Sequence, residues 1–138
     1  MPNAPMPVHG SCHCGAVTYE ATVDPEQVTV CHCTDCQRLT GSAYRVSVPT
    51  PVDAFRLTRG TPRIYVKTAD SGHRRAQAFC AECGSPLYTY AIDDPRTYGL
   101  RVGGLRERQA LAPRQRIWCS SALPWSIDLR GLPGRDRE

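Results

Sequence analysis

The chain has 138 residues, 41% of them apolar and 22% charged, with a formal charge of +4. Those figures fit one globular domain and are too small for two, and no run reaches the roughly 18 apolar residues that a membrane helix needs. The proline-rich residues 1–10 lack a basic stretch followed by an apolar one, which argues against a secretory signal and for a cytoplasmic protein with reduced thiols.

In chain order, the first feature is Cys12-His13-Cys14. Residues i and i+2 of an extended segment project from one face, so both sulfurs can reach one ion. Val17, Tyr19, Ala21 and Val23 then alternate with Thr18, Glu20 and Thr22, which predicts a half-buried strand over residues 16–23. In Cys31-His32-Cys33-Thr34-Asp35-Cys36 three thiols fall within six residues, and Cys36-Gln37-Arg38-Leu39 begins a short helix. Further short strands are expected over residues 44–48, 55–57, 63–67, 77–79, 87–91 and 98–102. The turn signal Asp70-Ser71-Gly72 joins residues 63–67 and 77–79 in a hairpin. Next comes Cys80-Ala81-Glu82-Cys83, where Gly84 permits the φ > 0 conformation that follows such a turn. Residues 1–7 and 131–138 read as tails around a single domain over residues 8–130. Twelve prolines and eleven glycines interrupt the chain too often for long helices. The expected fold is mainly β, with small antiparallel sheets pinned by zinc.

Seven of the eight cysteines lie in these clusters. Cys12, Cys14, Cys80 and Cys83 supply one complete four-sulfur site. Cys31, Cys33 and Cys36 supply three ligands from one side of an ion, leaving a fourth position for solvent, a substrate thiol or a remote residue such as Cys119. A zinc ion with four protein ligands is normally structural, and one with three keeps a reactive position. Two zinc ions are therefore expected, one structural and one functional. The competing readings are an iron–sulfur cluster, four disulfides, or a single structural zinc beside a merely solvated middle cluster.

His13 and His32 lie between paired cysteines and point away from the sulfurs. His32 is read as an ordinary surface or packed side chain, or as a group that orients substrate. His73 falls in the predicted turn. Arg63, Lys67, Arg74 and Arg75 gather on the predicted hairpin as a solvated face or an anion-binding surface. Ionising seven cysteines and adding two divalent ions brings the formal charge to about +1. With no basic run interleaved with aromatics, the sequence argues against a nucleic-acid partner.

Gly10-Ser11-Cys12-His13-Cys14-Gly15-Ala16-Val17, then Cys31-His32-Cys33-Thr34-Asp35-Cys36-Gln37-Arg38 with Gly41, then Phe79-Cys80-Ala81-Glu82-Cys83-Gly84-Ser85-Pro86-Leu87 resemble the glutathione-dependent formaldehyde-activating enzyme family. The domain of that family also occurs in centromere protein V. The resemblance runs from about residue 10 to the closing Pro124-Trp125. It implies a β-tent fold related to zinc ribbons, a structural ion on Cys12, Cys14, Cys80 and Cys83, and a functional ion on Cys31, Cys33 and Cys36. It also implies carbon–sulfur lyase chemistry, interconverting S-hydroxymethylglutathione with formaldehyde and glutathione. The expected partner is thus a small thiol or thiol–aldehyde adduct, glutathione among them. The alternatives are a zinc-stabilised module that binds a protein, and a thiol carrier without turnover. Gly103-Gly104-Leu105-Arg106 departs from the family's glycine–leucine turn in lacking its acidic residues.

Overall fold

The computed structural model describes residues 5–138. Among the described residues, ten strands form two sheets, accompanied by one α-helix. A three-stranded antiparallel sheet has the order β1 (Met6–Ser11), β2 (Thr18–Val23), β5 (Phe55–Arg59). The larger sheet runs β10 (Gln115–Ile117), β3 (Thr29–Cys31), β4 (Arg45–Pro51), β9 (Thr97–Arg101), β8 (Pro86–Ala91), β7 (Arg74–Phe79), β6 (Arg63–Thr68). All its pairings are antiparallel except β10 with β3. There His32 N–H extends the ladder by donating to Ile117 O at 3.0 Å. No helix among the described residues is long and apolar enough to cross a membrane.

The mainly β reading holds, and the predicted hairpin is β6–β7. Three strands escaped the sequence pattern. β1 begins at Met6, inside the stretch read as a tail, and pairs Met6–Ser11 with β2 down to Thr18. Residues 1–4 of that tail lie outside the described residues. β3 and β10 are three residues each, too short to show a period. The helix α1 (Thr34–Thr40) starts two residues before the expected position because Cys33 caps it, its Sγ accepting the Cys36 N–H at 3.2 Å. Gly41 ends the helix at φ +61°, a conformation glycine adopts at little cost.

Alternation along each strand sorts side chains between two faces of the large sheet. One face packs on the small sheet. Val8, Tyr19, Ala21 and Val23 meet Val48, Ala78, Tyr88 and Leu100 there, all buried. Phe55 sits between rings, 4.7 Å from Tyr98, 4.8 Å from Tyr88 and 5.0 Å from Tyr19, the spacing of favourable tilted and edge contacts. Fully burying one such side chain contributes about 1.5–3 kcal/mol.

The opposite face carries Cys31, Arg45, Ser47, Arg101, Thr89, Gln77 and Arg75, as the strand registers fix. In a flat sheet β3 and β6 would stand about 24 Å apart. Here α1, which follows β3, pairs with β6 through Asp35 and Lys67 at 3.0 Å. The sheet therefore curls around the helix, and the face that holds Cys31 is concave.

Candidate metal centres

The first group joins two turns from distant parts of the chain. Cys12 and Cys14 leave β1, and Cys80 and Cys83 occupy the turn between β7 and β8. In the second turn Gly84 N–H donates to Cys80 O at 2.8 Å and Cys80 N–H to Ser85 O at 3.0 Å, with Gly84 at φ +79°. The two turns are stitched together by His13 N–H donating to Ser85 Oγ at 3.0 Å. The Cys12 and Cys14 sulfurs are 3.7 Å apart, as are those of Cys14 and Cys80. All four sulfurs lie within 4.8 Å of one another.

The second group is local. Cys31 ends β3, Cys33 caps α1, and Cys36 lies in its first turn; their sulfurs also lie within 4.8 Å of one another. Cys31 and Cys36 are buried and Cys33 is partly so. Gln37 fixes the helix start by donating from Nε2 to His32 O at 2.9 Å and Ser121 O at 3.1 Å.

Both groups are compact enough for a zinc ion. At about 2.3 Å from zinc, tetrahedral thiolates stand about 3.8 Å from each other, close to the 3.7 Å observed in the four-sulfur group. All eight cysteines are free, which leaves the four-disulfide alternative without a bonded pair. The sulfurs also share charge unequally. The Ser85 hydroxyl, the Ser85 N–H and the Cys14 N–H pull the Cys83 thiol down to about 5. Cys14 is lowered by the Ala16 N–H, yet desolvation and its sulfur neighbours carry it up to about 12. Burial works against the ionisation of Cys12, and the Val17 N–H with nearby thiols outweighs it. In the local group, burial and then Cys33 push Cys36 up to about 12. Cys31 is lowered despite burial, by the Cys33 N–H, its sulfur neighbours and the Arg45 charge. Neither group ionises completely by itself, and a divalent cation is the natural complement.

Cys119 stays outside both groups. It is exposed, with Sγ donating to Arg116 O at 3.8 Å. His13 is exposed, whereas His32 is 2% exposed, faces away from the cysteines, and packs edge-on against Tyr44 at 5.5 Å. The predicted basic hairpin splits between faces: Arg74 pairs with Asp93 at 3.3 Å on one side, while Lys67 and Arg75 lie on the concave side. Sequence reasoning missed Arg45 and Arg101. The available signal was an arginine inside the apolar stretch Leu100-Arg101-Val102, where a cation needs a reason to be buried.

The glutathione-dependent formaldehyde-activating enzyme family matches residues 7–121, a span that contains all eight cysteines. The chain belongs to this family. A Halomonas elongata protein provisionally named a glutathione-dependent formaldehyde-activating enzyme is 28% identical over 99 residues, covering 66% of this chain and 59% of that protein. The chain thus matches about three-fifths of its relative's length. A crystal structure of a Rhodobacter sphaeroides protein superposes with a TM-score of 0.61 and 23% identity over 78% of this chain and 98% of the other. That likeness establishes a shared fold. Within the family's span, Glu107 follows Gly103-Gly104-Leu105-Arg106. Glu107 accepts both the His9 N–H and a His9 ring contact, each at 2.8 Å.

Proposed function

We propose that this family member is a two-zinc protein, with a structural ion on Cys12, Cys14, Cys80 and Cys83 and a functional ion on Cys31, Cys33 and Cys36. At the second site it makes or breaks the carbon–sulfur bond of a thiol–aldehyde adduct of the S-hydroxymethylglutathione type. The observation that carries the reading is the inequality of the two groups: four converging sulfurs in one, three in the other, with Cys119 held elsewhere. A zinc ion on three thiolates would supply Lewis acidity that favours the thiolate form of a fourth sulfur.

In the lyase direction the carbon–sulfur bond breaks, its electron pair returns to sulfur, and the hydroxyl proton passes to solvent as formaldehyde forms. A free thiol is already a few per cent ionised at neutral pH, so ionising it fully gains at most roughly 30-fold, or about 2 kcal/mol. That is too little, and holding sulfur and carbonyl carbon side by side must supply the larger part. The concave face under α1 suits this task because it is partly buried and lined by strand residues rather than loops.

Elemental analysis of the purified protein should return two zinc ions per chain. After cobalt replacement, glutathione should alter the sulfur-to-metal absorption band, and the protein should speed exchange between glutathione and formaldehyde followed by NMR. A single inert ion with a band indifferent to glutathione would remove the catalytic reading.

A further inference from the structure

The concave face carries more positive charge than its neighbours neutralise. Register sets Arg45 beside Cys31 and Arg101 beside Ser47, with Arg75 and Gln77 on the same face across from Ala91 and Thr89. Arg101 is 8% exposed. It donates from Nη2 to Gln77 Oε1 at 3.2 Å, while its Nε and Nη1 are buried without a partner, as is Nε of Arg45. Arg75 donates to the Thr89 hydroxyl at 3.2 Å.

Among the described residues, none of the three arginines has a carboxylate partner. The nearby Lys67 is already taken by Asp35. Three thiolates around one divalent ion leave a single negative charge against three guanidinium groups, so about two positive charges go unmatched. Buried cations with free donors and no acids are costly unless something anionic occupies the space. Arg101 and Gln77, with Leu39, Tyr65 and Phe79, line a cavity of about 310 Å³, within the range of small-ligand pockets; Arg45 and Arg75 lie outside that lining, on the same face of the sheet by register.

We propose that Arg45, Arg75 and Arg101 form a carboxylate-recognising pocket beside the three-cysteine site, which makes the protein selective for thiols that carry carboxylates. This selectivity rests on the reading of Cys31, Cys33 and Cys36 as a thiol-binding centre. Guanidinium groups hold carboxylates through charge-assisted, often paired hydrogen bonds, and the free donors of Arg45 and Arg101 are available for that purpose.

The test uses the full-length cobalt-loaded protein and two readouts. By the absorption band, glutathione and mercaptopropionate should bind at least about ten-fold more tightly than neutral mercaptoethanol, and Arg101→Gln should collapse that preference. By calorimetry, S-methylglutathione, which keeps the carboxylates and lacks a free thiol, should bind the native protein and bind Arg101→Gln and Arg75→Gln about ten-fold more weakly. Equal affinity for charged and neutral thiols, or no loss of S-methylglutathione binding in the variants, overturns the pocket and leaves the thiol centre standing. S-methylglutathione binding with an absorption band silent to every thiol supports the pocket and removes the thiol centre. Should Arg101→Gln fail to fold, Arg101→Lys and Arg75→Gln carry the same comparison.

Discussion

The two cysteine groups differ first in how far apart their members lie along the chain. Cys14 and Cys80, 66 positions apart, meet at 3.7 Å, whereas Cys31, Cys33 and Cys36 come from one strand end and the helix that follows. An ion in the first group cross-links the end of β1 to the turn between β7 and β8, so its binding energy becomes folding energy. An ion in the second group ties together residues that the chain already holds close. Their surroundings differ as well. The first group is ringed by neutral donors, the Val17 N–H and the Ser85 hydroxyl, and the second lies beside Arg45 and within the field of Arg101. Neutral donors settle a permanent charge, while unmatched cations suit a charge that comes and goes.

The strongest way to break this contrast is Cys80→Ser. Structural zinc contributes on the order of 10 kcal/mol or more, comparable with the whole stability of a small domain. The variant should therefore lose its cooperative melt by circular dichroism; a native-like melt would show the cross-link to be dispensable.

A smaller effect is expected from Gly10→Ala, because a Cβ at this position runs into the Tyr19 ring. Overpacking of this kind costs about 1–3 kcal/mol, to be read from urea denaturation. Since residue 10 leads into the Cys12 turn, a chelator should then strip the four-sulfur ion faster and leave release from the other site unchanged.

Glu107→Gln tests the same sheet through its clamp on His9. Burial opposes ionisation of Glu107, but the His9 ring and N–H outweigh it and hold the carboxyl below its ordinary 4.5. A lowered acid contributes stability in full above its unfolded value and loses it as pH falls through the folded one. The variant should cost about 1 kcal/mol at pH 7, and its deficit should shrink as urea midpoints are followed into acid. An equal deficit at every pH would assign the effect to packing.

The mildest effect on stability belongs to Cys36→Ser, expected to stay within about 1 kcal/mol while the zinc count falls by one. If this variant unfolds as Cys80→Ser should, the contrast between the two centres fails.

The sequence made the sulfur and Arg75 visible and hid Arg45 and Arg101. Cysteine spacings such as those of residues 31, 33 and 36 are local, so the geometry they impose can be worked out without knowing the fold. Arg45, Arg75 and Arg101 come together only because β4, β9, β8 and β7 pair in a particular register, which no short window encodes. Alternation likewise announced β2 and located the middle strands. β1 was obscured by Pro7, a residue that removes a backbone donor and that sheets tolerate only at edges and strand starts. The helix start was misplaced because Cys33 takes the N-cap role usually given to serine, threonine, aspartate or asparagine. Cys119 looked available for ligation, and only the path of the chain from Ile117 to Ser121 keeps it apart from the others.

The parallel pairing of β10 with β3 bears on how the protein is made. A ribosome releases the chain amino end first, and domains begin to organise as they emerge. Cys83, the last ligand of the cross-linking group, leaves the exit tunnel well before residues 115–117 arrive to flank the strand that carries Cys31. A nascent chain can thus bring Cys12, Cys14, Cys80 and Cys83 together while the outer edge of the other group is still missing, so the direction of translation sets the order in which the two cysteine groups are completed.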